Sequence, residues 1–173
     1  MTFITLYTDG AYCRATNTGG WCYFLKAPKA EKLVYDKVTD PPVSTPRMEL
    51  LAAVLGLEAI SKPSSVTVIS DATYVVHPIT EEKGYGVKEM TSPQTRPNVD
   101  LWQRLHNMQQ FHIEITAKHV KSHSGDRHND LTDEMAKKQA GTWTKAAQRQ
   151  KDKRVLQKLE KRQTKTRTPK QEG

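Results

Sequence analysis

The first forty residues alternate between short runs dense in β-branched and aromatic residues and brief polar breaks, the pattern of strands rather than helices. FITLYT at 3–8 is the first run, and WCYFLKA at 21–27 is the second, after a turn at Thr16-Asn17-Thr18-Gly19-Gly20. KLVYDKV at 32–38 is a third, so three antiparallel strands in a meander are expected. Asp40-Pro41-Pro42 closes the meander, because proline has no N–H to give to a ladder. The period then changes. STPRMELLAAVLGLEAISK at 44–62 predicts a helix ending near Lys62-Pro63. Thr45 is its N-cap, Pro46 its first residue, and Met48, Leu51, Ala52, Leu55 and Ala59 its core stripe.

VTVIS at 66–70 is a fourth strand that follows a strand and a helix, so a crossover and parallel pairing with the first strand are expected. TYVVHPIT at 73–80 predicts a short helix interrupted near Pro78, and residues 81–97 are irregular. Asn98 can cap a helix, VDLWQRLHNMQQ, with Leu101, Leu105 and Met108 on one face. HIEITAKHV at 112–120 alternates as a half-buried fifth strand does, and a last helix runs from about Asn129 to Ala140. The order β-β-β-α-β-α-α-β-α predicts an α/β fold, a five-stranded mixed sheet flanked by helices.

Composition adds bounds. The chain has 173 residues, enough for one domain and an appendage, and its 36% hydrophobic and 27% charged content suits a soluble globular protein. There is no apolar run long enough for a membrane span and no signal-peptide pattern at the start. Cys13 and Cys22 lack metal-type spacing, which together with those absences points to a reduced, cytoplasmic protein.

Charge is unevenly placed. Residues 1–140 hold 16 Lys or Arg and 16 Asp or Glu, whereas residues 141–173 hold 11 against 3, which is the whole net charge of +8. The expected organisation is therefore a neutral domain, 1–140, with a basic C-terminal extension, 141–173. Its 145–162 portion favours helix, with Ala146, Val155, Leu156 and Leu159 as a thin apolar side, and disorder is expected beyond Gln163. Lys151, Lys153, Arg154 and Lys158 are its candidate nucleic-acid contacts, the alternative being a solubilising tail.

Two of the apolar strands carry a bare aspartate at their ends, Asp9 and Asp71. An ionised carboxylate in an apolar setting needs a partner, a metal or a raised pKa. Parallel pairing makes the two neighbours. Glu49, one turn into the crossover helix, and Asp133, one turn into the last helix, can face the same edge. Four carboxylates on four elements suit Mg²⁺, which takes oxygen ligands, and two such ions can serve an in-line phosphoryl displacement.

The motifs TDGA at 8–11, RMELLAAVLGLEA at 47–59, SDATYV at 70–75, NVDLWQRL at 98–105 and HVKSHSGDRHNDLTDEMA at 119–136 resemble, in order, those of type 1 ribonucleases H. The resemblance covers about residues 1–140. It implies the ribonuclease H-like fold and endonucleolytic hydrolysis of the RNA strand of RNA–DNA hybrids with two Mg²⁺ ions, Mn²⁺ being a possible substitute. The products would carry 5′-phosphate and 3′-hydroxyl ends. Carried over by position, the ligands are Asp9, Glu49, Asp71 and Asp133, with Asp9 bridging both metals. His123 matches the family's mobile-loop histidine, which assists proton transfer or product release. The enzyme is expected to act as a monomer. The alternatives are a nuclease of the same fold acting on another nucleic-acid structure, such as branched DNA, or a catalytically idle hybrid- or DNA-binding protein.

The chain departs from the family's pattern where the hybrid is gripped. The family's Asn-Pro-Gly turn reads Ala15-Thr16-Asn17, its paired asparagines become Thr45 and Pro46, and its Ser-Gln after the third carboxylate becomes Ala72-Thr73. Ser44 stays as a phosphate contact, and Arg47 is counted with it as nucleic-acid-binding. The family's Trp- and Lys-rich protrusion becomes EEKGYGVKEMTSPQTRP at 81–97, with three bases, three acids and no tryptophan. The basic extension is the expected substitute.

Overall fold

The computed structural model describes residues 2–84, 86–92, 97–122 and 125–144, so the expectations for His123 and for the bases and helix of the C-terminal extension lie outside the described residues. Residues 1–142 form one compact unit. In it, β1 (Phe3–Cys13), β2 (Thr18–Ala27) and β3 (Ala30–Val38) make the expected antiparallel meander. β1 outlasts its apolar run because Asp9 to Cys13 pair with Cys22 to Thr18 across the turn.

α1 (Thr45–Glu58) crosses over to β4 (Ser65–Ser70), which lies parallel to β1, and β5 (Glu114–His119) lies parallel to β4. The sheet order is β3-β2-β1-β4-β5. α2 (Thr73–Thr80) and α3 (Val99–Phe111) stand between β4 and β5 in the chain, separated by 3₁₀ turns at Glu82–Gly84 and Lys88–Thr91, and α4 (Arg127–Ala140) follows β5.

The N-cap of α1 is Ser44, not Thr45. The extended Ser44 backbone turns its Oγ to accept the Arg47 N–H (3.3 Å), and Thr45 and Pro46 are the first helical residues. The expected single core stripe is also too narrow. α1 is covered by β1 and β2 on one side and by α2 and α3 on others, so Leu50, Ala53, Val54 and Leu57 are buried with Met48 and Ala52. Leu51 and Leu55 are half-buried and Ala59 is exposed. A helix apolar all round is a central helix. In α3 the buried side chains are Leu101, Trp102 and Leu105, with Met108 half-buried. Asn98 precedes it with φ +61° and forms no side-chain cap. α2 runs through Pro78 without a break, since so late in a short helix proline removes only one bond.

α4 starts at Arg127, two residues before the expected Asn129, because the Asp126 carboxylate accepts the N–H of His128 (3.0 Å) and of Asn129 (3.3 Å). It packs across β1 and β2, on the face opposite α1. Gly20 permits that approach: a Cβ there would stand 2.1 Å from the Ala136 carbonyl oxygen.

Candidate active site

Parallel pairing of β1 with β4 stops at Tyr7 and Ile69. Asp9 and Asp71 lie two residues beyond that last pair, one on each strand, so they stay in register where the strands part. This corrects the expectation that both strands end on aspartate. Asp9 sits within β1, still paired with Cys22 of β2, and only β4 stops before its carboxylate.

Glu49 reaches this edge because α1 lies directly on β1. A Cβ at Gly10 would stand 2.2 Å from the Glu49 backbone nitrogen, so the residue after Asp9 has to be glycine for the helix to sit there. Asp133 comes from the other face. It is six residues into α4, in the second turn rather than the expected first, since the helix starts earlier. The His128 ring pins the start of α4 to the sheet, stacked on Phe24 (centroids 4.7 Å) and tilted against Tyr7 (5.0 Å).

The four carboxyls feel one another. Asp9 is only 7% exposed. Burial raises its pKa well above the usual carboxylate range, the charges of Asp71 and Asp133 raise it further, and a side-chain hydrogen bond with Asp133 acts the same way. The Gly10 N–H donates to Asp9 Oδ1 (2.7 Å) and pulls in the opposite direction. Glu49 is pushed up to about 7, first by burial and then by Asp71. Asp9 and Cys22 also oppose each other: burial, then the Asp9 charge, lifts the Cys22 thiol to about 12, which keeps it neutral.

Cations and hydroxyls already hold two of the four. Lys137 Nζ pairs with Asp133 one turn along α4, and the Ser122 hydroxyl donates to Asp71 Oδ2. With these contacts in place, no three His, Cys, Asp or Glu side chains among the described residues stand ready-made as a metal cage. The donor set nevertheless fits a hard divalent cation. It is all oxygen, it is largely buried, and at Asp9 and Glu49 burial disfavours the ionised form that positive charge would favour.

Arg47 and Ser44 are otherwise engaged. The Arg47 guanidinium forms a two-pronged ion pair with Asp100 (2.9 and 2.6 Å) and donates to Asn98 Oδ1 (3.3 Å), tying the start of α1 to the start of α3. Ser44 Oγ caps α1 as an acceptor, a contact that leaves its hydroxyl proton unused. Sequence reasoning missed Cys22, His119, Ser122, His128 and Lys137. Only Lys137 carried a readable signal, its i+4 spacing from Asp133; the others depend on strand register or on how α4 packs against the sheet.

The family model described as RNase H matches residues 1–141. A ribonuclease H of Rhodopirellula baltica is 34% identical over 139 residues, covering 77% of this chain and 87% of its own. One from Jannaschia sp. is 36% identical over 144 residues, covering 79% and 90%. Among solved structures, a crystal structure of a type 1 RNase H with the type 2 active-site motif superposes with a TM-score of 0.67 at 20% identity, over 83% of this chain and 74% of that one. The N-terminal RNase H domain of a Mycobacterium tuberculosis protein, fused to maltose-binding protein, gives 0.64 at 12% identity, over 82% and 95%. The five-stranded mixed sheet, the convergent carboxylates and these matches agree: this chain belongs to the ribonuclease H family.

Proposed function

We propose that Asp9, Glu49, Asp71 and Asp133 are the metal ligands through which this ribonuclease H, an endonuclease on RNA–DNA hybrids, hydrolyses the RNA strand. The observation that carries the assignment is the position of Asp9. It is buried, and it is coupled by charge to Asp71 on one side and by charge and a hydrogen bond to Asp133 on the other. A carboxylate so placed suits a bridge between two cations. Two Mg²⁺ ions bound there would activate the attacking water and stabilise the leaving oxygen, giving 5′-phosphate and 3′-hydroxyl ends. Mn²⁺, with the same preference for oxygen donors, is a substitute.

The residues themselves supply position. Gly10 lets Glu49 approach Asp71, and the His128 stack sets the helix that carries Asp133. His123, by its place in the family's pattern, moves a proton or releases product. Ser44 meets a phosphate through its hydroxyl proton, and Arg47 orients it by fixing the start of α1. Lys151, Lys153, Arg154 and Lys158 of a basic extension, residues 141–173, add phosphate affinity to the catalytic domain, residues 1–140. A monomer acting in the cytoplasm completes the proposal, in keeping with the lack of any helix among the described residues long and apolar enough to cross a membrane.

Cleavage of end-labelled RNA–DNA hybrid, double-stranded RNA and double-stranded DNA, with Mg²⁺ and with EDTA, tests it. Cutting of the hybrid's RNA strand in Mg²⁺ alone is the expected result. Cutting of DNA, or cutting in EDTA, would overturn it.

A further inference from the structure

Asp71 is the only one of the four carboxylates that stands on neither a helix nor a strand, for it follows the last residue of β4. It lies in the two-residue link between β4 and α2, so its aim depends on what holds that link. β5 and the residues just after it do so, through three contacts. Val120 N–H donates to the Ser70 carbonyl (3.1 Å), which extends the parallel ladder one step beyond the Ser70–His119 pair. The His119 ring lies 3.1 Å from the Asp71 carbonyl oxygen through Nε2. A carbonyl only accepts, so Nε2 carries the proton and donates. Finally, the Ser122 hydroxyl donates to Asp71 Oδ2. The backbone of Asp71 is thus held by the last residue of β5 and its carboxylate by the segment just after that strand.

From this arrangement we infer that His119 and Ser122 are positioning residues for Asp71, a latch that fixes its backbone and aims its carboxylate at the cation site. The inference rests on the assignment of Asp71 as a metal ligand. Hydrogen bonds of this kind orient ligating carboxylates, and losing one typically weakens metal affinity or activity about 10- to 100-fold. Ser122 occupies Oδ2 and leaves Oδ1 free of that contact. His119 works on the backbone, so its role needs only an N–H at that place and no particular charge.

The test is the Mg²⁺ concentration that half-saturates the rise in thermal midpoint of the substrate-free protein, a readout independent of turnover. His119→Ala and Ser122→Ala are each expected to raise that concentration about 10-fold, while metal-free circular dichroism stays that of the wild type. His119→Gln, whose amide can donate, and Ser122→Thr, which keeps the hydroxyl, should return most of the affinity. In the loaded enzyme the hybrid KM should hold while the Mg²⁺ requirement rises. Asp71→Asn separates the two possible failures. If the wild type responds to Mg²⁺ and Asp71→Asn does not, but both alanine variants titrate like the wild type, the latch is refuted and the ligand assignment stands. If Asp71→Asn titrates like the wild type, both are overturned.

Discussion

Glu49→Gln should stabilise the metal-free protein, and by an amount that depends on pH. Glu49 is half-buried on α1, and its carboxyl rises from 4.5 to about 7 because of burial and of Asp71 nearby. A folded-state pKa above the unfolded one means that the folded state binds the proton more tightly. The contribution to stability is therefore full below about pH 4.5 and is lost as pH rises through about 7. At 1.36 kcal/mol per pH unit, full ionisation removes at most about 3 kcal/mol. Partial solvent screening and the residual burial of an amide reduce the gain from Gln to about 1–3 kcal/mol. At about 2–4 °C per kcal/mol for a domain of this size, the variant should melt about 2–12 °C above the wild type at pH 8.5, and level with it at pH 4.5. Circular-dichroism melts in EDTA across that range measure it. Saturating Mg²⁺ should close the gap, because it stabilises the wild type in proportion to its affinity for the folded state. A Gln variant that is less stable at pH 8.5, or a gap that does not change with pH, would refute the reasoning.

Other outcomes follow from the same contacts. Gly10→Ala drives a Cβ into backbone atoms of Met48 and Glu49, at 2.3 and 2.2 Å, so α1 must move. Denaturant midpoints should fall by the equivalent of about 1–3 kcal/mol, and cleavage should fall further than the folded fraction because Glu49 moves with the helix. His123→Ala should slow turnover about 10- to 100-fold with hybrid affinity unchanged, which single-turnover kinetics and filter binding resolve. Ending the chain at Thr142 removes every base of the extension and should weaken hybrid binding while flattening the slope of log affinity against log salt. Equal slopes for the short and full chains would assign those bases another role.

The strands, helices and their order were legible because hydrophobic period and turn chemistry are local properties. So was the likeness of Asp9, Glu49, Asp71 and Asp133 to one constellation, since a parallel crossover places consecutive strand ends together. What the chain did not display was set by long-range packing. A single stripe was expected on α1, but burial against both the sheet and two helices makes nearly its whole circumference core. Ser44 displaced Thr45 as the cap through one residue's backbone angle. His119 and Ser122 showed no signal because their partner, Asp71, is about fifty residues away and faces them only through the β4–β5 register. The pairing of Arg47 with Asp100 was hidden for the same reason.

The central claim is that the four carboxylates together hold divalent cations, with Asp9 in their midst. Calorimetric titration of Mg²⁺ into the substrate-free protein at pH 8, for the wild type and for Asp9→Asn, addresses it most directly. The substitution removes the charge coupled to both Asp71 and Asp133 and changes little else in volume. A saturable isotherm for the wild type and none for a folded Asp9→Asn is the predicted result. The same isotherm for both proteins would contradict the account.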